Sequence, residues 1–303
     1  MKFRAHETFF IRKGWLYKGL KNVINDPSIF TGKQKNPVDV LGIGTNMVKS
    51  LRYWLQATCL TREDQKDLNF PRIKVQKPTK EGQTIFDNDR YFEEIGTICI
   101  VHYLLASNKD LAPAWYYFFN EFELSEFNKE DFVIGLSKYA EMNNEHPATS
   151  SLEDDFNCLI NTYVLRKKLN PTKVNPESNI ECPLDELGLI EIADSSKGKD
   201  RIFKKAQVAI DTVSPYVFFA LINKKYGCEG KTEIKISELL SQEKSIGKLF
   251  NLDILSLSKI LDSLEKLNLI TVIRTAGLDV IKLKKKLTFI DSLELYYKSI
   301  NGK

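Results

Sequence analysis

The sequence lacks the fingerprints of the common enzyme families. It has no Walker loop, no G-x-G-x-x-G after a predicted strand, no G-x-S-x-G and no H-E-x-x-H. Its three histidines stand apart and no Cys-x-x-Cys pair occurs, so a zinc site is not indicated. The five cysteines are scattered and odd in number, which is typical of reduced, mostly buried thiols in a cytoplasmic protein.

Long hydrophobic runs are missing as well. The longest, Ile98 to Ala106, contains a histidine and is far too short to span a bilayer. The first residues, MKFRAHETFFIRKGW, are interrupted by charge every few positions and do not predict a signal peptide. With 43% hydrophobic and 28% charged residues, the 303-residue chain is predicted to be globular, with length for two or three domains.

Charge is distributed unevenly along the chain, whose formal net charge is +4. Residues 1–60 contain ten lysines and arginines against three acids, whereas residues 121–155 contain ten acids against two lysines. A basic block is the electrostatic footprint expected for DNA, because neutralised phosphates release counterions. The acidic segment would repel DNA, so we expect it to contact a protein partner instead.

Residues 37–60, PVDVLGIGTNMVKSLRYWLQATCL, predict a helix-turn-helix. Gly42 and Gly44 suit the tight turn, Thr45 is a candidate N-cap, and the second helix should run to Ala57 around an apolar stripe. An amphipathic helix with a merely solvated face is the alternative, and the basic block favours DNA contact. The polar face, whose groups suit phosphates and base edges, presents Thr45, Asn46, Lys49, Ser50, Arg52 and Tyr53.

Further DNA-contacting cations are predicted on both sides of this motif. Strand-like runs at 70–76 and 83–86 predict a hairpin, the wing of a winged helix, with Lys77 and Lys80 near its tip. A solvated loop is the alternative for that tip. The cations predicted to grip phosphates from the N-terminal segment are Arg4, Arg12, Lys13 and Lys18.

The remaining pattern completes the predicted fold class, which is mostly α (α+β). Aromatic helices near 112–142 should form core rather than a base-stacking surface, since their surroundings are acidic. Three helices and a hairpin recur after residue 215, and we interpret this second winged helix as a docking module. The predicted domains are an N-terminal winged helix-turn-helix DNA-binding domain (1–106), an acidic helical middle with a linker (107–205), and a winged-helix-like domain (206–303).

Two clusters are candidates for phosphodiester chemistry. His6 and Glu7 could supply an acid or base beside cations, or they could merely anchor the N-terminal segment by hydrogen bonds. Residues 87–94, DNDRYFEE, hold four carboxylates. Asp89 and Glu93 would lie together if Asp89 caps a helix starting near Arg90, and they could then bind Mg²⁺. Helix capping alone would equally explain both acids.

Three phrases resemble one family: RAHETFFIRKGWLYKG, VLGIGTNMVKSLRYWL and DRYFEEIGTICIVHYLLA. Together they resemble the SspB-like family, a bacterial family formerly of unknown function found with single-strand DNA phosphorothioation systems. The resemblance covers nearly the whole chain. It implies a protein that binds DNA and nicks one strand, alongside a cysteine desulphurase, an ATPase and a reductase-like sulphur-transfer protein. The matching positions are His6, Glu7, Arg12, Gly14, Trp15, Gly42, Gly44, Asn46, Lys49, Arg52, Trp54, Asp89, Glu93, Gly96 and His102.

The hypothesis from the sequence is therefore Mg²⁺-dependent nicking of one DNA strand, with Asp89, Glu93, His6 and Glu7 as candidate catalytic residues and Asp89 and Glu93 as metal ligands. Two alternatives remain open at this stage. One is a non-catalytic DNA-binding regulator or adaptor that uses the same helix. The other is an assembly factor whose winged helices dock proteins, which the basic N-terminal block disfavours.

Overall fold

Helices form most of the described chain, and short antiparallel sheets lie between them, as the sequence predicts for a mostly helical α+β protein. The computed structural model describes residues 1–32, 35–64, 74–165, 181–193, 201–227, 229–275 and 278–302. Within these ranges one cluster of buried apolar side chains extends from Ile11 to Tyr297. The predicted domain boundaries at 106 and 205 remain predictions.

The first three helices are α1 (Trp15–Asn25), α2 (Pro37–Leu41) and α3 (Thr45–Ala57). Pro37 begins α2, where its missing N–H costs nothing, and the Asn36 side chain caps the helix by accepting from the Val38 N–H. Gly42 ends α2 with a φ of 61°, a left-handed conformation that favours glycine. Gly44 occupies the cap position of α3, so Thr45 is the first helical residue rather than the N-cap.

The predicted wing is wrong in the position of its strands. The strands that follow α3 are β1 (Thr61–Asp64) and β2 (Val75–Pro78), paired antiparallel, and residues 83–86 lie inside helix α4 (Lys80–Asn88). Thr79 caps α4 by accepting from the Gly82 N–H. A Cβ at Gly82 would lie 2.1 Å from the Leu60 carbonyl oxygen, so this glycine permits a close packing contact rather than a turn. Residues 70–73 of the predicted first strand fall outside the described residues.

The centre of the molecule contains α5 (Ile95–Ala106), α6 (Pro113–Asn120), α7 (Lys129–Met142) and α8 (Thr149–Tyr163). Every residue of α5 from Gly96 onward is buried, as its uniform apolarity predicts. The aromatic residues of α6 are also buried, which confirms that they form core. In the described part of the chain, no helix is long and apolar enough to cross a membrane.

His102 on α5 is the satisfied core histidine that an apolar helix predicts. Its Nδ1 accepts from the Tyr163 hydroxyl at 2.8 Å, and its Nε2 donates to the Leu249 carbonyl at 2.7 Å. Burial lowers the pKa of His102 to about 4, so the ring is neutral at physiological pH. These bonds join α5 and α8 to the C-terminal part of the chain.

A small sheet beside the central helices has the strand order β3-β5-β4, with β3 (Glu126–Phe127), β4 (Ile190–Ile192) and β5 (Phe203–Lys205). A short 3₁₀ helix, Pro183–Leu187, precedes β4. Most of the linker predicted at 168–183 lies outside the described residues. The Lys205 ammonium donates to the Phe118 carbonyl at 2.9 Å, which ties the sheet to α6.

The C-terminal elements contain the three helices and the hairpin that the sequence predicts. They also include strand β6, which the prediction missed and which pairs with β8 to give the order β6-β8-β7. The elements are α9 (Pro215–Ile222), a π-helical turn (Asn223–Gly227), β6 (Glu233–Lys235), α10 (Ile236–Ser241), α11 (Ile246–Leu249), α12 (Ile254–Lys266), β7 (Ile270–Thr275), β8 (Leu278–Leu283) and α13 (Phe289–Asn301).

Helix α13 returns to the N-terminal half and packs on α4 as well as on α9. The hydroxyls of Tyr297 and Thr97 are hydrogen-bonded at 2.9 Å, across 200 positions of sequence. A Cβ at Gly96 would lie 2.3 Å from the Tyr296 hydroxyl, so α5 needs a glycine where α13 crosses it.

Candidate nucleic-acid interface

The outer face of α3 is polar and open to solvent near its start. Thr45, Asn46 and Lys49 are exposed, and the Lys49 ammonium lies 3.4 Å from the Asn46 side-chain oxygen. Glu7, from the N-terminal segment, approaches the same ammonium at 4.0 Å. These four side chains define the surface that we call the α3 face, together with Arg52 one turn further along the helix.

Arg52 is held against the β1–β2 ribbon. Its guanidinium lies 2.8 Å from a Glu63 carboxylate oxygen, and Lys74 lies 3.4 Å from the other oxygen. Partial burial alone would raise the pKa of Glu63, but Arg52 and Lys74 lower it overall. Arg52 therefore extends the α3 face with its charge partly compensated.

Two residues of the predicted DNA-contacting face belong to the interior instead. Ser50 is fully buried, and its hydroxyl donates to the Phe9 carbonyl at 3.3 Å. Tyr53 is also buried, and burial beside Asp155 raises its pKa well above the ordinary value. The N-terminal segment crosses this side of α3 and covers both side chains, so neither can reach a groove.

The other predicted cations differ in how much of their charge is available. Lys13 and Lys80 are exposed. Arg4 pairs with Asp154 at 2.6 Å, and Lys77 pairs with Asp64 at 3.0 Å across the ribbon. The two remaining cations have structural contacts: the Lys18 ammonium donates to the Leu41 carbonyl at the end of α2, and the Arg12 guanidinium lies over the rings of Phe9 and Trp15.

The N-terminal segment is locked onto α3 in a strained conformation. Arg4, Glu7 and Thr8 have φ values of 56°, 50° and 66°, a left-handed region that non-glycine residues rarely adopt. The Phe9 carbonyl also accepts a hydrogen bond of 2.9 Å from the indole of Trp54. Strain of this kind persists only where surrounding contacts impose it. The segment thereby fixes Glu7 beside Lys49 on the α3 face.

His6 anchors this segment to the protein interior. Its ring is completely buried, stacks on Trp54 with centroids 6.1 Å apart, and donates from Nε2 to Asp155 at 2.7 Å. Its Nδ1 accepts from the Thr8 N–H at 3.1 Å. Both ring nitrogens are therefore occupied and shielded from a phosphate. The anchoring role, one of the two interpretations of the sequence, is the one that this geometry fits.

Asp155 is the partner that sequence reasoning missed, since 149 residues separate it from His6. It lies on the apolar face of α8 with Leu152, Phe156 and Leu159, all buried. An acid at a core position of a helical stripe was the available signal. Its Oδ1 accepts from the Arg4 N–H as well as from His6, while its buried Oδ2 has no partner among the described residues.

Stability should depend on pH through Asp155. Burial raises the pKa of this carboxyl, although His6 and the Arg4 N–H oppose the shift. A raised folded-state pKa gives stability that is present below the unfolded value, near 3.9, and is lost as pH rises through the folded value. We expect the wild-type unfolding free energy to decline with pH relative to Asp155→Asn. Urea denaturation of both proteins from about pH 4 to about pH 8 measures this. Parallel profiles would contradict it.

The acidic cluster at 87–94 forms the junction between α4 and α5. Helix α5 begins at Ile95, not near Arg90 as predicted. Asp89 is buried, and its two carboxylate oxygens accept from the Glu93 and Glu94 N–H groups at 3.0 Å each. Glu93 is exposed. Asp89 thus stabilises the turn that leads into α5, as capping acids do.

These residues offer a magnesium ion a minimal set of ligands. Asp89 and Glu93 supply two carboxylates, and Mg²⁺ is commonly held by one or two carboxylates with waters and substrate phosphates completing its shell. Asp89 is buried, and both of its oxygens already accept hydrogen bonds, whereas Glu93 is exposed. Within the described ranges, no group of three or more metal-binding side chains occurs. The roles of Asp89 and Glu93 as metal ligands therefore remain predictions.

Fold and surface together define a mostly helical α+β protein with a helix-turn-helix whose outer face is polar and cationic. The chain belongs to the DUF4007 family, described as a protein family of unknown function, whose profile matches residues 3–297. No curated protein matches the sequence.

Two solved structures of SspB share the fold over the whole chain. The chain is similar to the SspB crystal structure with a TM-score of 0.82 and 25% identity, covering 100% of this chain and 89% of that one. It is similar to the magnesium ion-bound SspB crystal structure with a TM-score of 0.83, 24% identity and the same coverage. The expected membership of an SspB-like family is thereby confirmed.

Proposed function

We propose that this protein binds DNA through the α3 face and nicks one strand as part of a single-strand DNA phosphorothioation system. The observation on which this rests is the exposure of Thr45, Asn46 and Lys49 on the second helix of a helix-turn-helix. Short polar and amide groups suit base edges, and the ammonium suits phosphates. The SspB-like fold and the family resemblance supply the phosphorothioation context.

The order of the surrounding elements supports a winged-helix interpretation of both ends. An antiparallel ribbon follows α3. Near the other end of the chain, β6 precedes helices α10, α11 and α12, β7 and β8 follow them, and the three strands pair in the order β6-β8-β7. In such modules the helix before the ribbon enters the major groove. We assign that role to α3 and keep the C-terminal module for docking. Its helix α12 exposes Ile254 and Leu255 at its start, a surface unsuited to phosphates.

The acidic middle favours protein partners. Leu124, Ile134 and Met142 are 48%, 49% and 83% exposed on a segment with eight more acids than bases. Apolar side chains set in an acidic surface suit a basic protein better than a polyanion. The proposed partners, taken from the family resemblance, are the cysteine desulphurase, the ATPase and the reductase-like sulphur-transfer protein.

Magnesium is the proposed cofactor of the nicking reaction. One SspB crystal structure of the same fold is described as magnesium ion-bound. In this chain Asp89 and Glu93 are the carboxylates proposed to hold the ion. When bound, it would polarise a phosphoryl oxygen and stabilise developing negative charge. The residues themselves supply negative charge at the start of α5, and Asp89 keeps the turn in place.

The DNA-binding half of the proposal is tested with Lys49→Gln and Arg52→Gln. Each variant should bind duplex DNA more weakly, and the slope of log affinity against log salt should fall by about 0.9 for each phosphate contact removed. Fluorescence anisotropy at several salt concentrations measures both quantities. Lys138→Gln is the matched control, because Lys138 is also an exposed helical cation but lies in the acidic segment. Unchanged affinity and slope in both α3 variants would exclude the α3 face.

The nicking half is tested with supercoiled plasmid. Incubation with the purified protein and Mg²⁺ should give open circles without linear product, and EDTA should stop the reaction. A protein that binds DNA through the α3 face but leaves plasmid intact with every divalent metal would instead be the non-catalytic regulator. The two halves of the proposal can therefore fail separately.

A further inference from the structure

A cleft of about 690 Å³ lies on the opposite end of α3 from the α3 face, beside the turn that follows its last residue. Besides Cys59 in that turn, three separate stretches of chain border the cleft: the end of α5 with the turn after it, the π-helical turn after α9, and the turn between α10 and α11. Its volume lies in the range of small-molecule sites, about 300–1,000 Å³. None of the residues predicted to bind DNA or metal lines it.

Lysines converge on the cleft from all three stretches. Its lining includes Lys109, Lys224, Lys225 and Lys244. Three carboxylates also line it, but one of them, Glu229, is paired at 3.2 Å with Lys231, which is not a lining residue. Lys224 is likewise paired with a residue outside the lining, Glu81, at 2.7 Å. With four lysines against three carboxylates, the lining has one positive charge in excess.

Among the described residues, two of these ammonium groups have only weak partners. Lys109 lies over the rings of Tyr116 and Tyr139, at 5.8 and 5.6 Å from their centroids. Lys244 lies over Tyr116 at 5.6 Å and reaches Glu243 only at 3.8 Å. Ring faces and loose ion pairs satisfy a cation less well than a bidentate anion does. Both groups are placed to bind an incoming anion.

The remaining polar groups of the cleft point to a ligand with acceptor oxygens. The Ser107 hydroxyl is buried in its wall and has no hydrogen-bond partner among the described residues. The Lys225 ammonium donates to the Glu243 carbonyl, and burial lowers its pKa to about 8 despite nearby Glu229 and Glu243. A bound phosphate would stabilise the charged form of Lys225, whereas the Ser107 hydroxyl is too deeply buried to reach it.

We propose that this cleft binds a small phosphorylated molecule, of the size of a nucleoside diphosphate, through Lys109 and Lys244. The π-helical turn supports the proposal, because π-turns occur frequently at functional sites. So does the neighbouring Cys59, whose φ of 55° is strained for a non-glycine residue. The proposal goes beyond DNA binding and does not depend on it.

Calorimetric titration with inorganic pyrophosphate and with ADP tests the proposal. Wild-type protein should bind both saturably, and the double variant Lys109→Gln with Lys244→Gln should bind them about tenfold more weakly or worse, the loss expected for a charge-assisted hydrogen bond. The matched control replaces two exposed lysines elsewhere, Lys138→Gln with Lys266→Gln. Equal binding by the cleft variant and wild type, or no saturable binding by wild type, would overturn the proposal.

A second measurement uses Cys59, whose half-buried thiol lines the cleft. Burial raises the pKa of this thiol, so its thiolate attacks maleimide slowly, and the rate reports how open the cleft is to the reagent. In a Cys228→Ser background, pyrophosphate should slow its modification by maleimide. An unprotected thiol at a saturating concentration of pyrophosphate would contradict occupancy of the cleft.

A titration with DNA distinguishes a small phosphorylated ligand from the backbone phosphates of a nucleic acid. Oligonucleotides without terminal phosphates should bind the cleft variant and wild type equally, whereas Lys49→Gln should bind them more weakly and still bind pyrophosphate normally. If the cleft variant binds DNA more weakly but binds pyrophosphate as tightly as wild type does, the lysines belong to a nucleic-acid-binding surface and the small-molecule proposal is wrong.

Discussion

Trp54→Ala is expected to lower the free energy of unfolding by about 3–5 kcal/mol, as truncations of large buried aromatics do. Trp54 is completely buried, packs edge-on against Trp115 at 5.2 Å, and stacks on His6. The substitution also removes the indole N–H that donates to the Phe9 carbonyl, so the N-terminal segment loses a tether. Urea denaturation followed by circular dichroism measures the change.

Trp54→Phe is the informative companion variant. It keeps an aromatic ring in the core but loses the indole N–H. The unfolding free energy should therefore fall less than in Trp54→Ala, and the main effect should be a weaker attachment of residues 1–10. Proteolysis near the N-terminus would report that local release. A cost for Trp54→Ala below about 1 kcal/mol, the range of surface substitutions, would show that α3 does not bury this face.

Asp89→Asn combined with Glu93→Gln is expected to slow plasmid nicking by about a hundredfold or more, because a catalytic metal contributes several kcal/mol to transition-state stabilisation. Asparagine keeps only one of the two oxygens that accept from the Glu93 and Glu94 N–H groups, so urea denaturation of the variant is the control for the turn before α5. DNA binding should be unchanged, since neither residue belongs to the α3 face. Rates of conversion of supercoiled to open-circular plasmid, at fixed Mg²⁺, measure the effect.

Asp87→Asn is the matched control for this prediction. It removes an exposed carboxylate of the same cluster, whose partner is the Gln83 side chain, and should leave nicking intact. Full nicking by the double variant would move the catalytic carboxylate elsewhere. Glu7 would then be the next candidate, because it is partly exposed beside Lys49, whereas His6 is buried.

The helix with the clearest apolar stripe could be predicted from sequence to within one residue. Helix α3 ends at Ala57 as predicted and begins one residue early, because burial along one face determines where the helix can run. The predicted ribbon failed for a local reason. Thr79 and Gly82 fit a turn as well as a helix start, and only the contact between Gly82 and Leu60 decides between the two.

The candidate site was harder to predict because distant segments complete it. A helical wheel places Ser50 and Tyr53 opposite the core, yet the N-terminal segment covers them and leaves a narrower α3 face. The pairing of His6 with Asp155 depends on how α8 packs, which no local pattern encodes. The lysines of the cleft likewise come from three turns that only the tertiary structure brings together.

The crossing of α13 over α5 bears on how the chain acquires its fold during synthesis. Gly96 and Thr97 are buried against Tyr296 and Tyr297, so α5 stays incompletely covered until residues 289–301 have emerged from the ribosome. Contacts between such distant positions slow folding, because the entropy of closing the intervening chain is lost before the contacts form. A nascent chain would thus hold an unfinished α4–α5 region, and the core around Gly96 and Thr97 would mature only after residues 289–301 have been synthesised.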